Sequence, residues 1–213
     1  HGVEVLPIDA NIEAFDALLE PAPLSALRDR IDARLTNLGA RRALDHEAQL
    51  EYAALADALG DAFAVPDGIA EAKATLRDRA KFFDPDAYAS AVETIDAALR
   101  VVSAAHHPLH LDFTAYRTPF GLTSFAEIER DAAMGRDPFA PWVESSLLPR
   151  LAASGARVVG LSVCFPGQLQ PAYAFAAAIK RALPDVHVTC GGPGVTQLLI
   201  RLRGERLARA LGP

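Results

Sequence analysis

Sulfur is scarce in this chain of 213 residues: there are two cysteines, Cys164 and Cys190, and one methionine. A pair of thiols is too few for the disulfide framework of a small secreted domain, so a reduced, cytoplasmic protein is expected. Two thiols also cannot supply a four-ligand zinc or iron–sulfur site. No apolar run approaches the roughly 20 residues that cross a bilayer, so no membrane partner is expected. The net charge is −6, with no basic stripe and no run of interleaved lysines and aromatics. Nucleic acid is therefore not expected as a partner. No signal peptide is visible at His1, and there is neither an internal repeat nor a low-complexity tract. What remains is globular: 51% hydrophobic and 23% charged residues, in a chain long enough to bury a core.

The stretch that organises the chain runs from Arg157 to Leu169. An apolar strand, Arg157 to Val163, stops in a small loop punctuated by Pro166 and Gly167. A helix is expected over Pro171–Arg181, then a second strand over Val186–Cys190 that ends in Gly191-Gly192-Pro193-Gly194. Parallel sheets bind ligands beyond the carboxyl ends of their strands, so the working site is expected at these two loops. A third strand is expected at 3–8, where the pattern alternates and is β-branched, ending at Asp9. A chain that opens directly on a strand implies an earlier strand and helix.

Between the strand at 3–8 and the strand at 157–163 the pattern is helical. Leu24, Leu27, Ile31, Leu35 and Leu38 recur at helical spacing, and Gly39 closes that helix. A second helix is expected from Asp45 to Leu59, a break at Gly60–Gly68 marked by Pro66-Asp67-Gly68, and a third helix from Ile69 to Arg79. Asp84-Pro85 starts a fourth, with Asp84 as cap. Its stripe is Tyr88, Val92, Ile95, Leu99 and Val102. Residues 109–113 alternate as a short extended piece. Ser124 and Glu127 fit a capping box for a helix to Met134. Trp142–Ser154 is helical in pattern with Pro149 as a defect, and 195–211 reads as a Leu/Arg helix whose arginines form a solvated face. An ordinary crossover needs only about a dozen residues, so the block at 21–141 is read as an insertion.

Several residues draw chemical attention. Ser162 ends a strand, where its hydroxyl can meet a ligand or its own loop. Gly191-Gly192 allows a close backbone approach. Phe165, Leu169 and Tyr173 can line a slot or pack in the core, and Gln168 can meet a polar ligand, stay solvated at the surface or cap a helix. His106, His107, His110 and Asp112 lie close in sequence, but no second cluster completes a site, so no metal is assigned. Asp9 is read as a helix cap. Gly191-Gly192-Pro193-Gly194 is a poor dinucleotide fingerprint.

The Ser162-Val163-Cys164 strand end, followed by Gly191-Gly192 after the next strand, resembles the cobalamin-binding Rossmann-like domain. In that family a Ser-x-Leu element and a Gly-Gly shape the pocket for the dimethylbenzimidazole tail; here cysteine stands in place of the leucine. With Val159–Ala172, Ala70–Lys73, Phe83–Tyr88 and Asp137-Pro138-Phe139 included, the chain is similar to the N-terminal region of B12-dependent radical SAM enzymes. The resemblance implies an α/β fold: a truncated Rossmann-like parallel sheet of cobalamin-binding type, formed by 1–20 and 142–213, with the helical insertion at 21–141. It implies cobalamin as cofactor, contacted by Ser162, Val163, Cys164, Phe165, Gln168, Gly191, Gly192 and Pro193. It also implies a downstream domain in the same chain, carrying a [4Fe-4S] cluster and S-adenosyl-L-methionine, that completes methyl transfer or other radical chemistry. The family's Cys-x-x-x-Cys-x-x-Cys motif is absent here, and no catalytic residue is assigned to this portion. The alternative expectation is a non-catalytic B12-sensing or helical interaction module.

Overall fold

The computed structural model describes residues 2, 4–121 and 124–199. The chain divides into two compact units, one of residues 15–117 and one of residues 1–14 with 118–213. By contacts, residues 118–141 belong with the sheet and not with the helical block. None of the described helices is long and apolar enough to cross a membrane.

Residues 4–9 carry no strand, which corrects the reading of 3–8; position 3 lies outside the described residues. Val5 is 75% and Leu6 49% exposed, so these apolar side chains are not buried against a sheet as the strand reading requires. Helix α1 (Ala10–Leu18) follows. The Asp9 carboxylate caps it, accepting the Ile12 N–H at 3.1 Å.

The helical unit is built on α2 (Pro21–Gly39), α3 (His46–Arg77), the single turn α4 (Arg79–Phe82) and α5 (Pro85–Ala105). On α2 the heptad-spaced Leu24, Ile31 and Leu38 are fully buried. Ile31 and Leu38 pack with Leu55, Ala58 and Ala62 of α3 and with Val101, Ala104 and Ala105 of α5. Alanine on the facing surfaces lets the helix axes approach closely. Asp45 caps α3 through the Ala48 N–H at 2.8 Å, and Asp84 caps α5 through the N–H groups of Asp86 and Ala87. Ile95, Leu99 and Val102 are buried as the stripe on α5 predicts, whereas Tyr88 is exposed.

The expected break at Gly60–Gly68 is not there, because α3 runs straight through Pro66. The missing N–H weakens one helical turn. Val65, Pro66 and Ile69 are all buried, however, and Gly68 faces Thr94 Cγ2 of α5 across 3.5 Å from where a Cβ would stand. Burial against α5 outweighs the local breaker. After α5, β1 (His110–Leu111) and β2 (Tyr116–Arg117) form a minimal antiparallel ladder.

The other unit holds α6 (Phe125–Ala133) and α7 (Ala140–Trp142), then a π-helical turn at Val143–Leu147 that leads into α8 (Leu148–Ser154). The π turn is how the chain absorbs Pro149: a wider turn removes the clash between the ring and the preceding carbonyl. Glu127 hydrogen-bonds the Gly121 N–H and not that of Ser124, so the capping box does not form as expected. Gly155, at φ 63°, ends α8 in the left-handed conformation.

Strand β3 (Val158–Ser162) then pairs in parallel with β4 (His187–Gly191), joined by a 3₁₀ turn at Pro166–Gln168 and α9 (Leu169–Ala182). The register sets Val158 opposite His187 and Ser162 opposite Gly191. Along β3, exposed Val158, Gly160 and Ser162 alternate with half-buried Val159 and Leu161. One face of this small sheet is therefore covered and the other is open. Helix α10 (Pro193–Leu199) closes the described chain, so most of the helix expected at 195–211, with Arg201, Arg203, Arg206 and Arg209, lies outside the described residues. The result is a mixed α/β chain, mostly helical, with a two-stranded parallel sheet.

Candidate functional site

The carboxyl ends of β3 and β4 form one rim. Ser162 and Gly191 face each other in the ladder, and the ladder continues past it: the Val163 N–H donates to the Gly191 carbonyl at 2.8 Å, and the Gly194 N–H to the Val163 carbonyl at 3.0 Å. The Ser162–Phe165 loop and the glycine loop are thus stitched together by backbone hydrogen bonds.

The glycines of this rim have separate roles. Gly191 has nothing within 4 Å of a prospective Cβ and opens to solvent. Gly192 has φ +104°, and a Cβ there would lie 2.4 Å from the Val163 carbonyl oxygen. What passes close to Gly192 is the chain's own backbone. At Gly194 the fit is close but less tight: a Cβ there would lie 3.1 Å from the carbonyl oxygens of Phe165 and Val163. Pro193 is exposed and opens α10.

On the β3 side, Ser162 is exposed, with its Oγ 4.0 Å from Cys164 Sγ. Cys164 and Cys190 are both free thiols at the surface. Although the residue is exposed, partial desolvation of its sulfur, with a hydrogen bond involving the Gly191 backbone opposing it, pushes the Cys190 thiol up from its ordinary value. Phe165 stands 67% exposed, a large apolar face beside the rim. The Val163 side chain does the opposite, packing inward with Ile128, Leu169 and Val195, so Val163 meets the rim only through its backbone. Leu169 is buried in the same cluster, and Tyr173 packs against it. Glu129 hydrogen-bonds Tyr173, and burial is the larger cause that raises its phenol.

Gln168 is a clamp. Its Oε1 accepts from the Cys164 N–H at 2.9 Å and the Phe165 N–H at 3.2 Å, the cap alternative of the sequence reading. Gln168→Ala removes both acceptor contacts and is expected to cost about 1–2 kcal/mol. Gln168→Glu keeps an acceptor ahead of α9 and should stay near wild-type stability. Thermal melts together with amide exchange at Cys164 and Phe165 check this; equal exchange in the alanine variant would remove the clamp.

Elsewhere, His110 Nε2 lies 3.1 Å from Asp112 Oδ2 on one exposed face. Hydrogen bonds from Thr114 hold the Asp112 carboxyl down to about 2. Among the described residues, no group of three or more histidines, cysteines or carboxylates is placed to hold a metal.

One polar cluster was not legible in the sequence. Gln170 is 5% exposed, and its Nε2 donates to Thr118 Oγ1 at 2.7 Å. The Thr118 hydroxyl lies 3.3 Å from Asp131 Oδ2, and the Phe120 N–H donates to the same hydroxyl. Asp137, read from sequence as a turn residue, accepts the Phe139 N–H at 3.0 Å. Residues 118, 131 and 170 share no sequence period, so only the tertiary fold reveals their pairing. No family model, curated protein or solved structure matches this chain.

Proposed function

We propose that this chain is the cobalamin-binding portion of a B12-dependent radical SAM enzyme, with its two strands belonging to a Rossmann-like sheet. The observation that supports the reading is the rim itself: Ser162 and Gly191 end adjacent parallel strands on one side, with open space at Gly191. The donor set suits a large, mostly uncharged ligand with a nucleotide tail, which asks for apolar surface and a few polar points. Ser162 would offer its hydroxyl, Gly191 the room, and Phe165 the apolar face. Gln168 would hold the loop in place through Cys164 and Phe165. Gly192 would act indirectly, by keeping the two loops together. Cobalamin, when bound, supplies methyl-transfer or radical chemistry, which a domain carrying S-adenosyl-L-methionine and a [4Fe-4S] cluster completes. Two free surface thiols fit a reducing, cytoplasmic setting.

Titration with hydroxocobalamin tests the reading. The protein is expected to shift the visible spectrum of the corrinoid. Gly191→Val should fold normally, because the site of its side chain is open, yet bind about tenfold or more weakly, a loss of about 1.4 kcal/mol. No uptake by the wild-type chain, or equal uptake by the variant, would overturn the assignment.

A further inference from the structure

The Thr118 hydroxyl meets three groups. It accepts from Gln170 Nε2 at 2.7 Å and from the Phe120 N–H at 3.3 Å, and it donates to Asp131 Oδ2 of α6 at 3.3 Å. A hydroxyl has one proton and two lone pairs, so this one is fully used. Gln170, 5% exposed, lies in the first turn of α9, two residues after Gln168. Gln168 in turn holds the Cys164 and Phe165 N–H groups with its side chain, and its own N–H donates to the Phe165 carbonyl at 3.0 Å. Two contacts therefore seat the start of α9 against α6. Leu169 packs with Ile128, a contact that burial drives without fixing a direction. The chain from Gln170 through Thr118 to Asp131 is directional, because each bond weakens steeply when its angle is lost.

We propose that Thr118 is a positioning residue for the rim: its hydroxyl ties the first turn of α9 to α6 and, through Gln168, fixes the Cys164–Phe165 loop that the ligand meets. Without that hydroxyl the buried Gln170 amide loses its acceptor, and a buried donor left unpaired is costly. The first turn of α9 then gains by turning Gln170 toward water. Gln168 shares that turn's backbone, so its carbonyl oxygen moves away from the two N–H groups it clamps. Phe165 and the Ser162 hydroxyl lose their fixed placement beside Gly191. The effect on ligand affinity rests on the cobalamin reading of the rim, whereas the effect on the loop does not.

Thr118→Val keeps the shape and deletes all three hydrogen bonds, while Thr118→Ser keeps the hydroxyl. Both are made in the full chain, with amide exchange followed by NMR and hydroxocobalamin as the titrant. The His187 N–H, which donates to the Arg157 carbonyl at the other end of the ladder, is the reference. In the valine variant, exchange at Cys164 and Phe165 is expected to quicken about fivefold or more, with His187 unchanged. Its affinity for hydroxocobalamin should fall about fivefold or more, and the serine variant should match the wild type in both readouts. Unaltered exchange at Cys164 and Phe165, or an equal rise at His187, overturns the positioning role, because a merely stabilising contact would loosen the whole unit. A serine variant that behaves like the valine one overturns it too, as does quickened exchange with unchanged affinity. If Thr118→Val does not fold, Gln170→Met removes the donor from the α9 side, and the same results decide. No uptake by the wild-type chain overturns the cobalamin reading alone, and the exchange result then decides the role of Thr118.

Discussion

Gly192→Ala is expected to destabilise the sheet-bearing unit by about 3–5 kcal/mol and to open the rim. Two effects add. The φ of +104° is a region that an L side chain rarely adopts, and the new Cβ would meet the Val163 carbonyl oxygen at 2.4 Å. Neither partner can give way easily. Val163 is pinned at its N–H by Gly191 and at its carbonyl by Gly194, and its side chain is 1% exposed in the core. Relief therefore requires breaking the hydrogen bonds that join the two loops. Chemical denaturation would show a lower midpoint, and amide exchange would quicken at Val163 and Gly194. The matched Gly191→Ala control lies one residue away in open space and should change stability by less than about 0.5 kcal/mol. Equal stability of the two variants would mean that the close approach at Gly192 carries no constraint.

The second large effect is expected at Lys73, whose side chain is 9% exposed in the helical unit. Its ammonium donates to the carbonyl oxygens of Asp16 at 2.9 Å and Leu19 at 3.1 Å. It also pairs with the carboxylates of Glu20 and, at 2.7 Å, Asp16. One buried cation thus satisfies carbonyls at the end of α1 and binds the α1–α2 junction to α3. Lys73→Ala takes the donor from the Asp16 and Leu19 carbonyls, while the two carboxylates reach solvent and Asp16 keeps Arg77; it is expected to cost about 2–3 kcal/mol. Lys73→Arg should not rescue it, because a planar guanidinium cannot replace a compact ammonium among four oxygens. The hydrogen bond from Lys73, with burial opposing and Arg77 assisting, holds the Asp16 carboxyl below 3.8. Its folded value is depressed, so this contribution is present above pH 3.8 and is lost as the pH falls through the folded value. Urea melts of the two variants, followed by circular dichroism, decide the matter. A cost below about 1 kcal/mol for Lys73→Ala would show that water serves those oxygens equally well.

Much of the secondary structure was legible, and for definite reasons. Asp45 and Asp84 announce helix starts because a short carboxylate reaches back to free N–H groups within its own turn. The stripe on α2 works because Leu24, Ile31 and Leu38 return to one side of a helix. The apolar runs ending at Ser162 and Cys190 were read as parallel neighbours, and they pair as such. Errors came where a local signal met a tertiary fact. Pro66 and Gly68 look like a break, but the buried face of α3 runs across them. The alternation at 3–8 looks like a strand, but among the described residues there no strand forms and Val5 and Leu6 stay exposed. At the rim, the positions of Ser162 and Gly191 could be anticipated; the split between an open Gly191 and a packed Gly192 could not, because it depends on where Val163 passes.

What the amino-acid order by itself determined is whatever repeats within a turn or along a strand: caps, helix faces, and the strand–helix–strand unit that ends in two polar loops. Only the tertiary structure decided which glycine is a space and which is a contact, which lysine is buried, and that Thr118, Asp131 and Gln170 meet. The reason is range. Caps and periods act over a few residues of backbone, whereas packing, desolvation and charge repulsion act between side chains that chain order leaves far apart.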